Sequence, residues 1–219
     1  MAHAPDPEAL DPTAFASLLC SKLCHDLLSP VSALGNGLEL LEGETDPVVR
    51  DQCMGLIGDG IHKTAGKLKF FRLAFGAAGG FGESIPTHEI RTAIEGMFPP
   101  EGRLALQWMI AADGLSRPAA KLLLNLAMIA GEALPRGGTM ALGAELAGDR
   151  AEIVVRGEGP RITLDASIRA ALLGQEKDVT TRTAMAHLVR TTADRAGGEL
   201  MLSPAGEPFL LFGARIRLS

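Results

Sequence analysis

Apolar side chains return every three or four positions through the first third of this chain, which is the period of a helix with one buried face. Leu23, Leu27, Leu34, Leu38 and Leu41 fall within a narrow stripe at about 100° per residue, joined by Cys20, and the pattern stops near Gly43-Glu44-Thr45-Asp46-Pro47. Asp11 stands as the cap of this helix, with Pro12 at its first position. A second run, with Val49, Cys53, Leu56, Ile57, Ile61, Leu68, Phe71 and Phe75, makes a helix of similar length that ends in Gly76-Ala77-Ala78-Gly79-Gly80. Two long helices joined by a short turn form an antiparallel hairpin over residues 11–80. Residues 1–10, rich in Pro, Ala and acid, show no period and read as a flexible tail.

A lone hairpin leaves apolar surface uncovered, and a second copy is the simplest cover. The expected assembly is a homodimer whose helices form a four-helix bundle. The Gly-rich stretch from Gly76 to Gly82 reads as a linker. Beyond it, over 84–219, helices expected at 87–97, 117–134, 164–173 and 181–196 mix with strands at 104–110, 139–146, 151–156, 199–203 and 208–217. The fold class is therefore α+β, with the dimerising N-terminal hairpin followed by a C-terminal α/β sandwich.

With 219 residues and 47% hydrophobic content, the chain can fill two small cores. A net charge of −5 argues against a nucleic-acid surface, which needs clustered Lys and Arg, and leaves proteins as the expected partners. Apolar runs such as Leu122-Leu123-Leu124 fall far short of the ~20 residues of a membrane span. The N-terminus Met1-Ala2-His3-Ala4-Pro5 lacks a basic segment followed by an apolar one, so the expected location is the cytoplasm, with no membrane association. Three cysteines then read as reduced thiols.

The candidate chemistry sits at His25-Asp26-Leu27-Leu28-Ser29-Pro30. On the helical wheel His25 lies roughly 180° from Leu34, so it projects away from the apolar stripe. An exposed imidazole, with a reference pKa of about 6.5, is mostly deprotonated near neutrality and offers one nitrogen as a nucleophile. Asp26 can accept a hydrogen bond from the other nitrogen, fixing the tautomer and stabilising the charge that builds during attack. Ser29, one turn on, can offer its hydroxyl to a phosphate oxygen. Pro30 cannot donate to the carbonyl of Asp26, which is expected to leave that oxygen partly free and bend the helix. Cys20 and Cys24 beside His25 lack further metal ligands and read as buried small residues. His62, His88 and His187 have no comparable context, and Lys63, Lys67, Lys69 and Arg72 read as a solvated face or, alternatively, as a surface for an acidic partner.

The segment around His25 resembles the phosphoacceptor motif of the dimerisation and histidine-phosphotransfer domain of two-component sensor kinases. Farther on, Leu122 to Ala130 followed by Pro135-Arg136-Gly137-Gly138 resembles the asparagine box of the kinase catalytic domain, of the GHKL or Bergerat type. Asn125 stands at its first asparagine, but Ile129 replaces the asparagine that binds magnesium. Val155-Arg156-Gly157-Glu158-Gly159 resembles the Asp-x-Gly-x-Gly box with Val155 in place of the adenine-binding aspartate. Thr181-Arg182-Thr183-Ala184-Met185 keeps no glycine where the phosphate-covering loop belongs, while Ala196-Gly197-Gly198-Glu199-Leu200 still matches the helix-to-strand turn. A phosphoacceptor hairpin joined to a degenerate catalytic domain resembles the ChpT-type histidine phosphotransferases. Leu23-Cys24-His25-Asp26 and Gly35-Asn36-Gly37-Leu38-Glu39-Leu40-Leu41 carry that match most closely.

The resemblance implies a phosphotransferase, not an ATP-dependent kinase, that relays phosphoryl groups through phosphohistidine at His25, with Asp26 and Ser29 beside it. It implies the receiver domain of a hybrid histidine kinase as donor and response-regulator receivers as acceptors. No cofactor or metal of its own is implied, since Mg²⁺ sits in the partner's receiver pocket. Two alternatives differ in kind: an ATP-dependent histidine kinase, and a non-catalytic signalling adaptor.

Overall fold

The computed structural model describes residues 11–76 and 82–218; the expected tail and residues 77–81 of the expected linker lie outside the described residues. Helix α1 spans Pro12–Gly43 and α2 spans Pro47–Phe75. Asp11 caps α1, its carboxylate accepting from the amides of Thr13 and Ala14, both at 3.2 Å. The turn between the helices is closed by side chains that satisfy its own backbone. Glu44 accepts from the amides of Thr45 (2.7 Å) and Asp46 (2.8 Å), Asp46 caps α2 through the Val48 amide (2.8 Å), and Arg50 donates to the carbonyls of Leu41 and Glu44. The amide bonds from Asp46 and Thr45 hold the Glu44 carboxyl below its ordinary pKa. Glycines let the two helices close on each other: a Cβ at Gly37 would lie 2.9 Å from Ile57, and one at Gly60 would lie 2.6 Å from Leu34.

The rest of the described chain is a two-layer α/β sandwich. Its sheet holds β2 (Leu104–Trp108), β4 (Gly138–Ala147), β5 (Arg150–Glu158), β7 (Phe209–Arg217) and β6 (Glu199–Leu202), in the order β2-β4-β5-β7-β6. The β2–β4 pair is parallel and the other pairs are antiparallel. Strand β5 shows why one face is dry and the other wet. Ala151, Ile153, Val155 and Gly157 are buried, while on the other face Arg150, Val154, Arg156 and Glu158 are exposed and Glu152 is half-buried. The helices α3 (Thr87–Met97), α4 (Arg117–Glu132), α5 (Ala166–Leu172) and α6 (Ala184–Arg195) complete the fold.

All of the sequence-expected helices and strands are present, with ends shifted by a few residues. Two strands that periodicity does not reveal, β1 (Ser84–Pro86) and β3 (Gly114–Ser116), pair antiparallel beside α3. Three residues each, with Pro86 and Gly114 among them, are too few to show alternation.

Helix α4 is buried on all sides from Leu122 to Ala130, because the sheet covers one face and α2 covers another. Phe70, Phe71, Leu73 and Ala74 at the end of α2 belong to the same core as α4 and the sheet. Asn125 ties the two together: its Nδ2 donates to the carbonyls of Ala74 (3.2 Å) and Lys121 (2.8 Å), so it satisfies one of the end carbonyls of α2. Helices α2 and α3 cross at Gly66 and Gly96, where a Cβ on Gly66 would stand 2.6 Å from the Gly96 carbonyl oxygen.

That crossing sets a sign. Ala in place of Gly within a helix favours the helix by about 1 kcal/mol, but forcing a methyl against backbone typically costs ~1–3 kcal/mol. Gly66→Ala is expected to lower stability in urea denaturation; a gain would show that the helices do not cross so closely.

Candidate functional site

His25 lies in the fourth turn of α1, and its side chain is 84% exposed. Its Nδ1 is 3.2 Å from Oδ1 of Asp26, which is only 14% exposed. A carboxylate accepts and does not donate, so this contact puts the ring proton on Nδ1 and leaves the Nε2 lone pair facing outward. Ser29 is exposed one turn farther on, on the same face of the helix as His25.

Helix α1 runs unbroken through Pro30. The Asp26 carbonyl that Pro30 cannot serve is taken by Lys67 of α2, whose Nζ donates to it at 2.9 Å. Lys67 is thus half-buried inside the hairpin and is not part of a solvated face, which corrects the sequence reading. Lys69 meets Glu89 of α3 at 3.4 Å, and Lys63 and Arg72 are exposed.

The carboxylate of Asp26 has a second partner. Lys22, one turn before it, places Nζ 3.2 Å from Oδ1 and 3.0 Å from Oδ2, and the same ammonium is 2.7 Å from Oε1 of Glu132 at the end of α4. Burial pulls the Lys22 pKa down, but the hydrogen bonds and charges of Glu132 and Asp26 outweigh it and leave the group above its ordinary value. The ammonium is fully charged at neutral pH. No motif marks Lys22, Lys67 or Glu132 in the sequence, since their partners come together only on folding.

Cys20 and Cys24 are exposed, contrary to the expectation that they are buried, and only Cys53 is buried. The C-terminal sandwich approaches α1 from the side of Lys22 and Asp26, which leaves the side carrying Cys24 open. His62 and His88 are exposed. His187 is half-buried on α6, where burial depresses its pKa against the raising effects of the Asp178 carbonyl and Glu176. Among the described residues no cluster of His, Cys, Asp and Glu could hold a metal, and no helix is long and apolar enough to cross a membrane.

At the positions that resemble a nucleotide site, side chains are packed together. Ile129, Val155 and Met185 are buried in the common core, with Ala133 and Leu134 at the end of α4. Leu134 lies over both glycines of the 155–159 segment: a Cβ on Gly157 or Gly159 would be 3.1 Å from its methyl groups. The Thr163 amide donates to the Ala133 carbonyl at 2.8 Å, drawing the following loop onto the same corner. An apolar Val155 offers no acceptor for an adenine amino group.

Residues 87–208, more than half of the chain, match the family model for the histidine phosphotransferase C-terminal domain. The protein phosphotransferase ChpT of Brucella abortus (strain 2308) is 39% identical over 140 residues, which cover 64% of this chain and 65% of that relative, just under two thirds of its length. Among solved structures, the 1.7 Å structure of a bacterial phosphotransferase superposes with a TM-score of 0.82 at 29% identity, over 94% of this chain and 98% of that one. With both the family model and the superposition spanning the sandwich, this chain belongs to the histidine phosphotransferase family.

Proposed function

We propose that this protein relays a phosphoryl group between the aspartates of receiver domains through phosphohistidine at His25, without drawing on ATP. The observation that carries the reading is an exposed imidazole whose Nδ1 is tied to the mostly buried carboxylate of Asp26. In the forward step a receiver carrying aspartyl phosphate docks beside α1. Nε2 of His25 forms a bond to phosphorus as the P–O bond to the receiver aspartate breaks, and the electron pair leaves with that carboxylate. The proton stays on Nδ1, and Asp26 balances the charge the ring acquires. A second receiver then takes the group by the reverse of this step. The loose transition state asks mainly for alignment and neutralisation, so Ser29 is assigned to a phosphoryl oxygen and Mg²⁺ to the acidic pocket of the receiver. The donor is taken to be the receiver of a hybrid histidine kinase and the acceptors to be response regulators, all in the cytoplasm. The packed corner around Leu134 supports a route without nucleotide.

The active form proposed is a homodimer. Cys24, Val31 and Leu38 recur every seven residues on α1, as do Met54, Ile61 and Leu68 on α2, so each set forms a line along its helix. Rotation in the same sense from the seam between two antiparallel helices brings both lines to one side of the hairpin, away from His25. Val31, Leu38, Met54, Ile61 and Leu68 are each about half exposed in the single chain. A second copy covers this face, and Cys24 with it.

Mixing the protein with a phosphorylated receiver is expected to give an acid-labile, base-stable label that His25→Gln abolishes; a label that survives the substitution overturns the assignment. Labelled ATP alone is expected to give no phosphoprotein, and autophosphorylation would restore the kinase reading. Leu38→Glu with Ile61→Glu is expected to convert dimer to monomer in sedimentation equilibrium, and an unchanged mass would remove this face as the interface.

A further inference from the structure

Glu132 sits where helix electrostatics disfavours it. It is the last residue of α4, at the end that carries the negative pole of the helix dipole, where a cation is the favourable choice. It is nevertheless engaged, 2.7 Å from the ammonium of Lys22 on α1. That ammonium is also the partner of Asp26, and Asp26 is the partner of His25 Nδ1. The four side chains form one chain of contacts, from the end of α4 to the imidazole, across a sequence separation of 110 residues at the Lys22–Glu132 step.

Each link has a distinct physical effect. Lys22 reaches both oxygens of Asp26, which sets the rotation of the carboxylate and so aims Oδ1 at Nδ1. Left alone, the same ammonium would neutralise Asp26 and weaken it as an acceptor just when the ring becomes positive. Glu132 shares the ammonium and thereby returns negative charge to Asp26. Glu132 is 43% exposed, so solvent screening keeps the pair modest as a source of stability, and its consequence falls on the orientation and charge of Asp26.

We propose that Glu132 is a positioning residue for phosphoryl transfer, acting on His25 through Lys22 and Asp26, and that through it the C-terminal sandwich takes part directly in the chemistry. The inference rests on His25 being the phosphoacceptor. It gives the sandwich a role at the reacting imidazole in addition to supporting the hairpin.

The test uses full-length protein with Glu132→Gln, Lys22→Gln and the two combined, and two phosphoryl donors. One is a receiver domain charged with acetyl phosphate. The other is phosphoramidate, a small donor whose P–N bond breaks with release of ammonia and which needs no docking surface. Glu132→Gln is expected to slow labelling of His25 about fivefold with both donors, leaving half-saturation by the receiver and the thermal midpoint unchanged. In the Lys22→Gln background the same substitution is expected to have no further effect. A wild-type rate in Glu132→Gln, a full fivefold loss that persists without Lys22, or a change confined to receiver affinity would each overturn the proposal. Failure of the relay reading itself looks different: the wild-type chain would then accept from phosphoramidate but not from the receiver.

Discussion

A carboxylate removed from water must be met by a counter-charge and by donors, or it takes up a proton. Asp26 is met by the Lys22 ammonium and by the Nδ1–H of His25, while its backbone carbonyl, orphaned by Pro30, is met by Lys67. These contacts come from α1 itself and from α2, and Glu132 of α4 completes the set through Lys22. The orientation of the imidazole therefore depends on the packing of three helices. Exposure of the ring and burial of its partner follow from one helical step, because adjacent residues differ by about 100° around the axis.

The same packing explains how the sandwich holds its shape. The dry face of the sheet and helix α4 need each other to bury Leu122, Leu124, Ile153 and Phe212, so the sandwich keeps its shape whatever occupies the corner around Leu134. There, Ile129, Val155 and Leu134 make apolar contacts. Asn125 serves structure, holding the end of α2 through the Ala74 carbonyl. Because Phe70, Phe71 and Leu73 lie in the shared core, cutting the chain after the hairpin would expose them; point substitutions are the cleaner way to separate the roles of the two parts.

Much of this was legible in the sequence where a regular period carries the information. The hairpin, the five strands of the main sheet and the exposure of His25 follow from periods of 3.6 and 2 together with caps such as Asp11. Where a position depends on what packs against it, the period fails. Cys24 lies beside the apolar stripe, a position that predicts burial, yet the single chain leaves that side of α1 open. By sequence Lys67 is one cation among four on a polar face; its bond to Asp26 exists only because Pro30 frees a carbonyl 41 residues earlier. Lys22 and Glu132 carry no local signal at all, since a lysine at a helix surface and a glutamate at a helix end are ordinary until the fold joins them. Strands β1 and β3 are too short for any pattern.

The central claim is that Nε2 of His25 holds phosphorus while Asp26 holds the proton at Nδ1. Phosphorus NMR of histidine-¹⁵N-labelled protein, taken after mixing with a phosphorylated receiver, reads that linkage directly. Phosphorus–nitrogen coupling to Nε2 of the His25 imidazole is the result the account expects. Coupling to Nδ1, coupling to another histidine, or no phosphoramidate signal while the receiver loses its phosphate would contradict it.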